Sequence, residues 1–133
     1  MILEHLAIWT YQLDKLKRFY ETYFEGKAGE KYVNRRNGFS SYFLSFADGS
    51  RLELMQMSDI PEHQNDVYRQ FTGLIHMAFA TAGEKEVDVL TERLRADGYE
   101  VIGEPRTTGD GYYESVVLDP DQNRVEITCL PTT

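Results

Sequence analysis

A single cysteine, Cys129, rules out an internal disulfide framework and agrees with a reducing compartment. Basic runs are missing and the formal charge is −8, which argues against nucleic-acid and anionic-membrane partners alike. No apolar run approaches the roughly 20 residues that a membrane-spanning helix needs. A charged leader followed by an apolar segment is also missing at the N-terminus. These absences predict a soluble cytoplasmic protein. What is present supports a packed core: 41% hydrophobic residues and nine tyrosines in a chain of 133. A single domain of this length buries roughly two-thirds of its unfolded surface.

Along the chain, residues 2–9 alternate as a strand with Leu3, His5, Ala7 and Trp9 on one face. Leu13, Leu16, Phe19, Tyr20, Tyr23 and Phe24 then recur at helical spacing over 13–24, with Gly26 expected as the stop. Strands are expected near 30–36, 40–47 and 51–57, the last two joined by a hairpin turn at Ala47-Asp48-Gly49-Ser50. Residues 58–72 are polar and read as a linker with a helical turn around Val67–Phe71. The order then repeats: a strand over 74–81, and a helix over 84–97 with Val87, Leu90 and Leu94 on one face and Gly98 as cap. Strands near 99–103, 112–118 and 124–130 complete it. Residues 103–111 read as a loop, and Asp119-Pro120-Asp121-Gln122-Asn123 as a turn.

The repetition is visible in the residues themselves. His5-Leu6-Ala7-Ile8 returns as His76-Met77-Ala78-Phe79, and Arg51-Leu52-Glu53-Leu54 as Arg124-Val125-Glu126-Ile127. An internal duplication of this kind predicts an α+β fold of two βαβββ modules, residues 1–57 and 73–133, joined by the linker 58–72.

The same repeat nominates His5, Glu53, His76 and Glu126, each expected mid-strand among apolar neighbours. A lone histidine in an apolar strand is more often a hydrogen-bonded core residue than a ligand. Four ionisable groups at matching positions reverse that balance, because an ionised glutamate there is costly unless something offsets its charge. A divalent cation does so: two neutral imidazoles and two carboxylates balance its charge and suit Zn²⁺ or Ni²⁺, or Co²⁺. Ala7 and Ala78, on the faces of the histidines, leave space open.

The His-x-Ala strands, the Asp-Pro-Asp-x-x-x-Val-Glu-Ile segment at 119–127 and Phe19-Tyr20 in the first helix together resemble the vicinal oxygen chelate superfamily. That group holds glyoxalase I, bleomycin- and fosfomycin-resistance proteins, methylmalonyl-CoA epimerase and extradiol dioxygenases. The resemblance spans the chain and implies paired modules forming a cupped sheet around a metal. Its implied ligands are His5, Glu53, His76 and Glu126, the pattern of glyoxalase I. By the same resemblance Glu126 is the first candidate for the catalytic base, with Glu53 across the substrate carbon. The implied activity is that of a metal-dependent lyase or isomerase. It would transfer a proton through a metal-bound enediolate on a small α-hydroxycarbonyl or thiohemiacetal substrate. The resemblance leaves open whether the cup forms within one chain or across a dimer. A homodimer is expected because each module exposes a sheet face that wants cover, and a small-molecule binding or resistance protein is the alternative function. Trp9 and Met57 stand where the resemblance places glutathione-contacting residues, so it carries the metal site and leaves the thiol open. Trp9 and Tyr113 are candidates to line the substrate pocket, although aromatic residues on strands are more often core. Arg51 and Arg124 read as solvated beside turns, His63 as exposed, and Cys129 as a small buried hydrophobe.

Overall fold

The computed structural model describes residues 1–131. In the first half, β1 (His5–Trp9) leads into α1 (Leu13–Phe24), followed by β2 (Lys27–Ala28), β3 (Tyr32–Asn34), β4 (Phe39–Ser45) and β5 (Arg51–Gln56). In the second half, β6 (Met77–Ala80) leads into α2 (Glu84–Ala96), then β7 (Val101–Thr107), β8 (Tyr113–Leu118) and β9 (Arg124–Cys129). One sheet runs β1-β5-β4-β2 with β3 also on β4, and the other runs β6-β9-β8-β7. In each, the first strand lies parallel to the last and the remaining pairs are antiparallel. The strands β2 and β3 are two pieces of one interrupted edge, so both halves are βαβββ modules and the fold class is the expected α+β. The described chain divides into two compact units, residues 1–63 and 64–131.

Within the first unit, α1 buries Leu13, Leu16, Phe19, Tyr20 and Phe24 over Leu44, Leu52 and Leu54 of the sheet. Gly26 does not end α1 as the left-handed residue. Glu25 holds that conformation (φ 59°), and Gly26 lies close to the sheet, where a Cβ would stand 3.0 Å from Leu44 Cδ2. At the end of α2 the expectation holds: Gly98 has φ 92° and its N–H donates to Arg95 O.

In the second unit the buried stripe of α2 is Val87, Thr91 and Leu94, and Leu90 is half-buried beside it. Thr91 takes that place because its hydroxyl has partners, Val87 O at 2.6 Å and Ser115 Oγ at 2.7 Å. Below it lie Val117, Val125, Ile127 and the buried thiol of Cys129. The loop expected over 103–111 is largely strand. β7 continues to Thr107, with register shifts around Gly103 and Arg106 that let an edge strand carry Pro105. Only a tight turn is left, closed by Gly111 N–H on Thr108 O. No helix forms at Val67–Phe71 either; Asp66 caps a turn there.

Both turns that precede the glutamate strands are built by aspartate. Asp48 accepts from Ser50 N–H and Oγ, with Gly49 at φ 90°. Buried Asp119 accepts from the N–H groups of Asp121 and Asn123 and from Asn123 Nδ2. These turns fix where β5 and β9 start, and therefore which face receives Glu53 and Glu126.

Candidate metal centre

Strand alternation does the positioning. In β5, Leu52 and Leu54 turn toward α1, which sends Arg51, Glu53 and Met55 to the opposite, open face of the sheet. In β9, Val125 and Ile127 turn toward α2 and Glu126 goes to the open face. Parallel pairing then sets Ala7 beside Glu53 and Ala78 beside Glu126. Each alanine is flanked, two residues earlier on the same face, by the histidine. The result is the same in both units: His5 Nε2 lies 3.8 Å from Glu53 Oε1, and His76 Nε2 lies 3.2 Å from Glu126 Oε2.

The four nominated residues are thus brought together as two pairs, one in each unit. Among the described residues no three His, Cys, Asp or Glu form a single cluster fit for an ion. The histidines also stand differently from the expectation. His5 opens β1 and His76 precedes β6, and their side chains are 38% and 36% exposed, whereas Glu53 and Glu126 are 17% and 12% exposed. The imidazoles sit at the strand entrances, where the sheet face is open, and the carboxylates sit mid-strand between neighbours on both sides.

Glu126 has the more demanding environment. Burial, first, and then a hydrogen bond and charge repulsion from Glu114 push its carboxyl up to about 7. Glu114 projects from β8 onto the same face and is itself 3.9 Å from Arg106 Nη1. The repeat could not reveal Glu114, since the matching position in the first module is Ser41. Such a carboxyl is half protonated near neutrality, and a cation beside it would favour its charged form. Imidazole nitrogen beside carboxylate oxygen, as in each pair, is a donor combination that suits a divalent ion of the zinc, nickel or cobalt type. A pH dependence follows. Cation affinity should rise with pH through about 7 as Glu126 loses its proton. Without cation the sign is opposite. Native Glu126 binds protons more tightly than the unfolded chain does, so its contribution to stability falls as pH rises from the ordinary glutamate value of 4.5 toward 7. Titrations of cation affinity and of thermal unfolding across that window check both signs, and Glu114→Gln should move both transitions to lower pH.

The first pair has a different surround. Glu4 bridges His5 Nδ1 and the Arg51 guanidinium, and that guanidinium lies 4.2 Å from the Phe43 ring centroid. Arg51 is therefore engaged rather than simply solvated. Arg124 is buried, its Nη2 donating to the carbonyls of Val67 and Arg69, so the linker's polar backbone makes it structural. Trp9 is 41% exposed on the open face and meets Phe39 edge-on at 6.0 Å, which removes it from the core. Tyr113 points elsewhere: its hydroxyl donates to Asp88 Oδ1 at 2.7 Å, and that bond raises its pKa to about 12. His63 is exposed, as its polar surroundings suggest.

A sequence model of the Glyoxalase/Bleomycin resistance protein/Dioxygenase superfamily matches residues 2–127. The chain belongs to this superfamily. The uncharacterized protein YqjT of Bacillus subtilis (strain 168) is 28% identical over 128 residues, covering 94% of this chain and 96% of YqjT. Among solved structures, a possible glyoxalase from Bacillus cereus superposes with TM-score 0.70 at 23% identity, covering 97% of this chain and 99% of that one. Lactoylglutathione lyase from Agrobacterium tumefaciens gives 0.68 at 22%, with 96% and 92% covered. A glyoxalase I variant from Zea mays gives 0.78 at 22%, and this chain spans 45% of its length. At these identities the structural likeness concerns the glyoxalase fold. No described helix is long and apolar enough to cross a membrane.

Proposed function

We propose that this glyoxalase-superfamily protein is a metal-dependent lyase or isomerase that moves a proton on a small α-hydroxycarbonyl or thiohemiacetal substrate. The observation that carries the reading is the repeat-related pairing of His5 with Glu53 and of His76 with Glu126, each beside an alanine on an open sheet face. In this reading the two pairs supply the four protein ligands of one divalent cation, meeting either within a chain or across a homodimer. Mixing two variants, one lacking each pair, tells these arrangements apart. When bound, the cation supplies Lewis-acid stabilisation of the negative charge that develops on a substrate oxygen.

The chain's own residues do the rest. A base works best when its pKa lies near the working pH, and Glu126 at about 7 meets that condition. Glu126 Oε takes the proton from the carbon next to the carbonyl and returns it to the neighbouring atom of the substrate. Glu53 stands as the second carboxylate. Ala7 and Ala78 keep the space beside both carboxylates clear.

Two substrates test this. With the Ni²⁺- or Zn²⁺-loaded protein, the methylglyoxal–glutathione hemithioacetal should give a thioester if the glutathione branch applies. Small α-hydroxycarbonyls in deuterated water should exchange the proton on the carbon next to the carbonyl, followed by NMR. Exchange without thioester fits Trp9 and Met57 in place of glutathione contacts. Neither signal, with tight binding of a planar ligand, would favour the resistance-type binding protein, for which exposed Trp9 beside Phe39 offers a stacking surface.

A further inference from the structure

The two histidines differ in what holds the far side of the ring. His5 Nδ1 is bonded to Glu4 Oε2, and the other oxygen of Glu4 accepts from Arg51, whose Nε lies 2.7 Å away. Arg51 in turn lies against Phe43, and the His5 ring meets the same Phe43 edge-on with centroids 5.4 Å apart. Phe43 stands beside Glu53 in the register of β4 and β5, so the whole group shares one patch of sheet. In the second module Ile75 stands where Glu4 stands in the first, so the carboxylate bridge has no repeat counterpart.

We infer that Glu4 is a positioning residue: it fixes the His5 imidazole as the Nδ1–H form and leaves the bare Nε2 facing Glu53, with Arg51 and Phe43 pinning Glu4. A neutral imidazole carries one N–H, and a carboxylate on Nδ1 decides which nitrogen keeps it. The distances on the other side agree. The 3.8 Å between His5 Nε2 and Glu53 Oε1 is too long for a hydrogen bond, as expected when Nε2 has no proton to donate. In the second module Ile75 supplies no such carboxylate, and His76 Nε2 lies 3.2 Å from Glu126 Oε2. His5 is presented ready to ligate through Nε2.

This assignment rests on the metal-centre reading only for its consequence, and the test separates the two. Imidazole ¹⁵N NMR of the metal-free protein, at a pH where both rings are neutral, should show His5 as Nδ1–H. In Glu4→Ala the His5 signals should move toward the Nε2–H form that free histidine prefers, while His76 stays unchanged. Glu4→Gln, whose carbonyl can still accept, should keep part of the wild-type pattern. Ni²⁺ or Zn²⁺ affinity, measured by competition with a chelator, should fall about tenfold in Glu4→Ala, the lower end of what loss of such a partner costs. A wild-type His5 in the Nε2–H form, or one unmoved by Glu4→Ala, overturns the inference. A wild type that binds no metal while His5 still switches form leaves Glu4's role standing and removes the metal reading instead.

Discussion

Glu126→Gln should lower turnover of the metal-loaded protein by about a hundred- to ten-thousand-fold, the range that loss of a general base costs. The exchange keeps the shape of the side chain and removes its ability to hold a proton. Because Glu126 is also a proposed ligand, cation affinity should weaken as well, and steady-state rates at saturating cation separate the two effects. Stability should move the other way. At pH above about 7 the wild-type protein carries an ionised carboxylate that burial and Glu114 disfavour, and glutamine carries no such charge. Metal-free Glu126→Gln should thus unfold at an equal or higher temperature than wild type above that pH, with the advantage shrinking as pH falls toward the ordinary glutamate value of 4.5. Lost turnover with undiminished stability marks a functional residue. A matching loss of both would assign Glu126 to the fold.

Leu94→Ala should do the reverse, costing about 2–5 kcal/mol of stability. Leu94 is fully buried where α2 packs over its sheet, in the same stripe as Val87 and Thr91. Truncation leaves a void that neighbours on strands cannot fill without disturbing their register. For a small protein this is a large share of the total. Chemical denaturation of the metal-free protein measures it, and a cost below about 1 kcal/mol would show that the stripe collapses or was never tightly packed. Any cation binding that survives in this variant should have an unchanged pH dependence, since Leu94 lies on the helix side of the sheet and Glu126 on the open side.

How far the sequence led depended on whether a feature was periodic. Helical spacing placed α1 at Leu13–Phe24, and strand alternation placed Glu53 and Glu126 on faces opposite Leu52, Leu54, Val125 and Ile127. Duplication nominated His5, Glu53, His76 and Glu126, and the structure arranges them as two pairs. The features that escaped are those with no counterpart in the other module. Glu4 corresponds to Ile75 and Glu114 to Ser41, so a reading built on symmetry passes over both. Arg124 looked like a charge beside a turn. Its burial comes from carbonyls at Val67 and Arg69, 57 and 55 positions away in the chain. The extent of β7 was hidden by Gly103 and Pro105, residues that break most strands yet are tolerated at a bulged edge. Leu90 yielded its expected place to Thr91 because a polar side chain with two buried partners can occupy a core stripe.

The most direct test of the metal centre is cation content after reconstitution with Ni²⁺ or Zn²⁺, measured by elemental analysis on wild type and on His5→Ala, His76→Ala and the double variant. Wild type should take up one ion per four-ligand set. Each single variant should bind much more weakly, and the double variant should retain none. No uptake by wild type, or uptake undiminished in the double variant, would contradict the assignment of His5, Glu53, His76 and Glu126 as ligands.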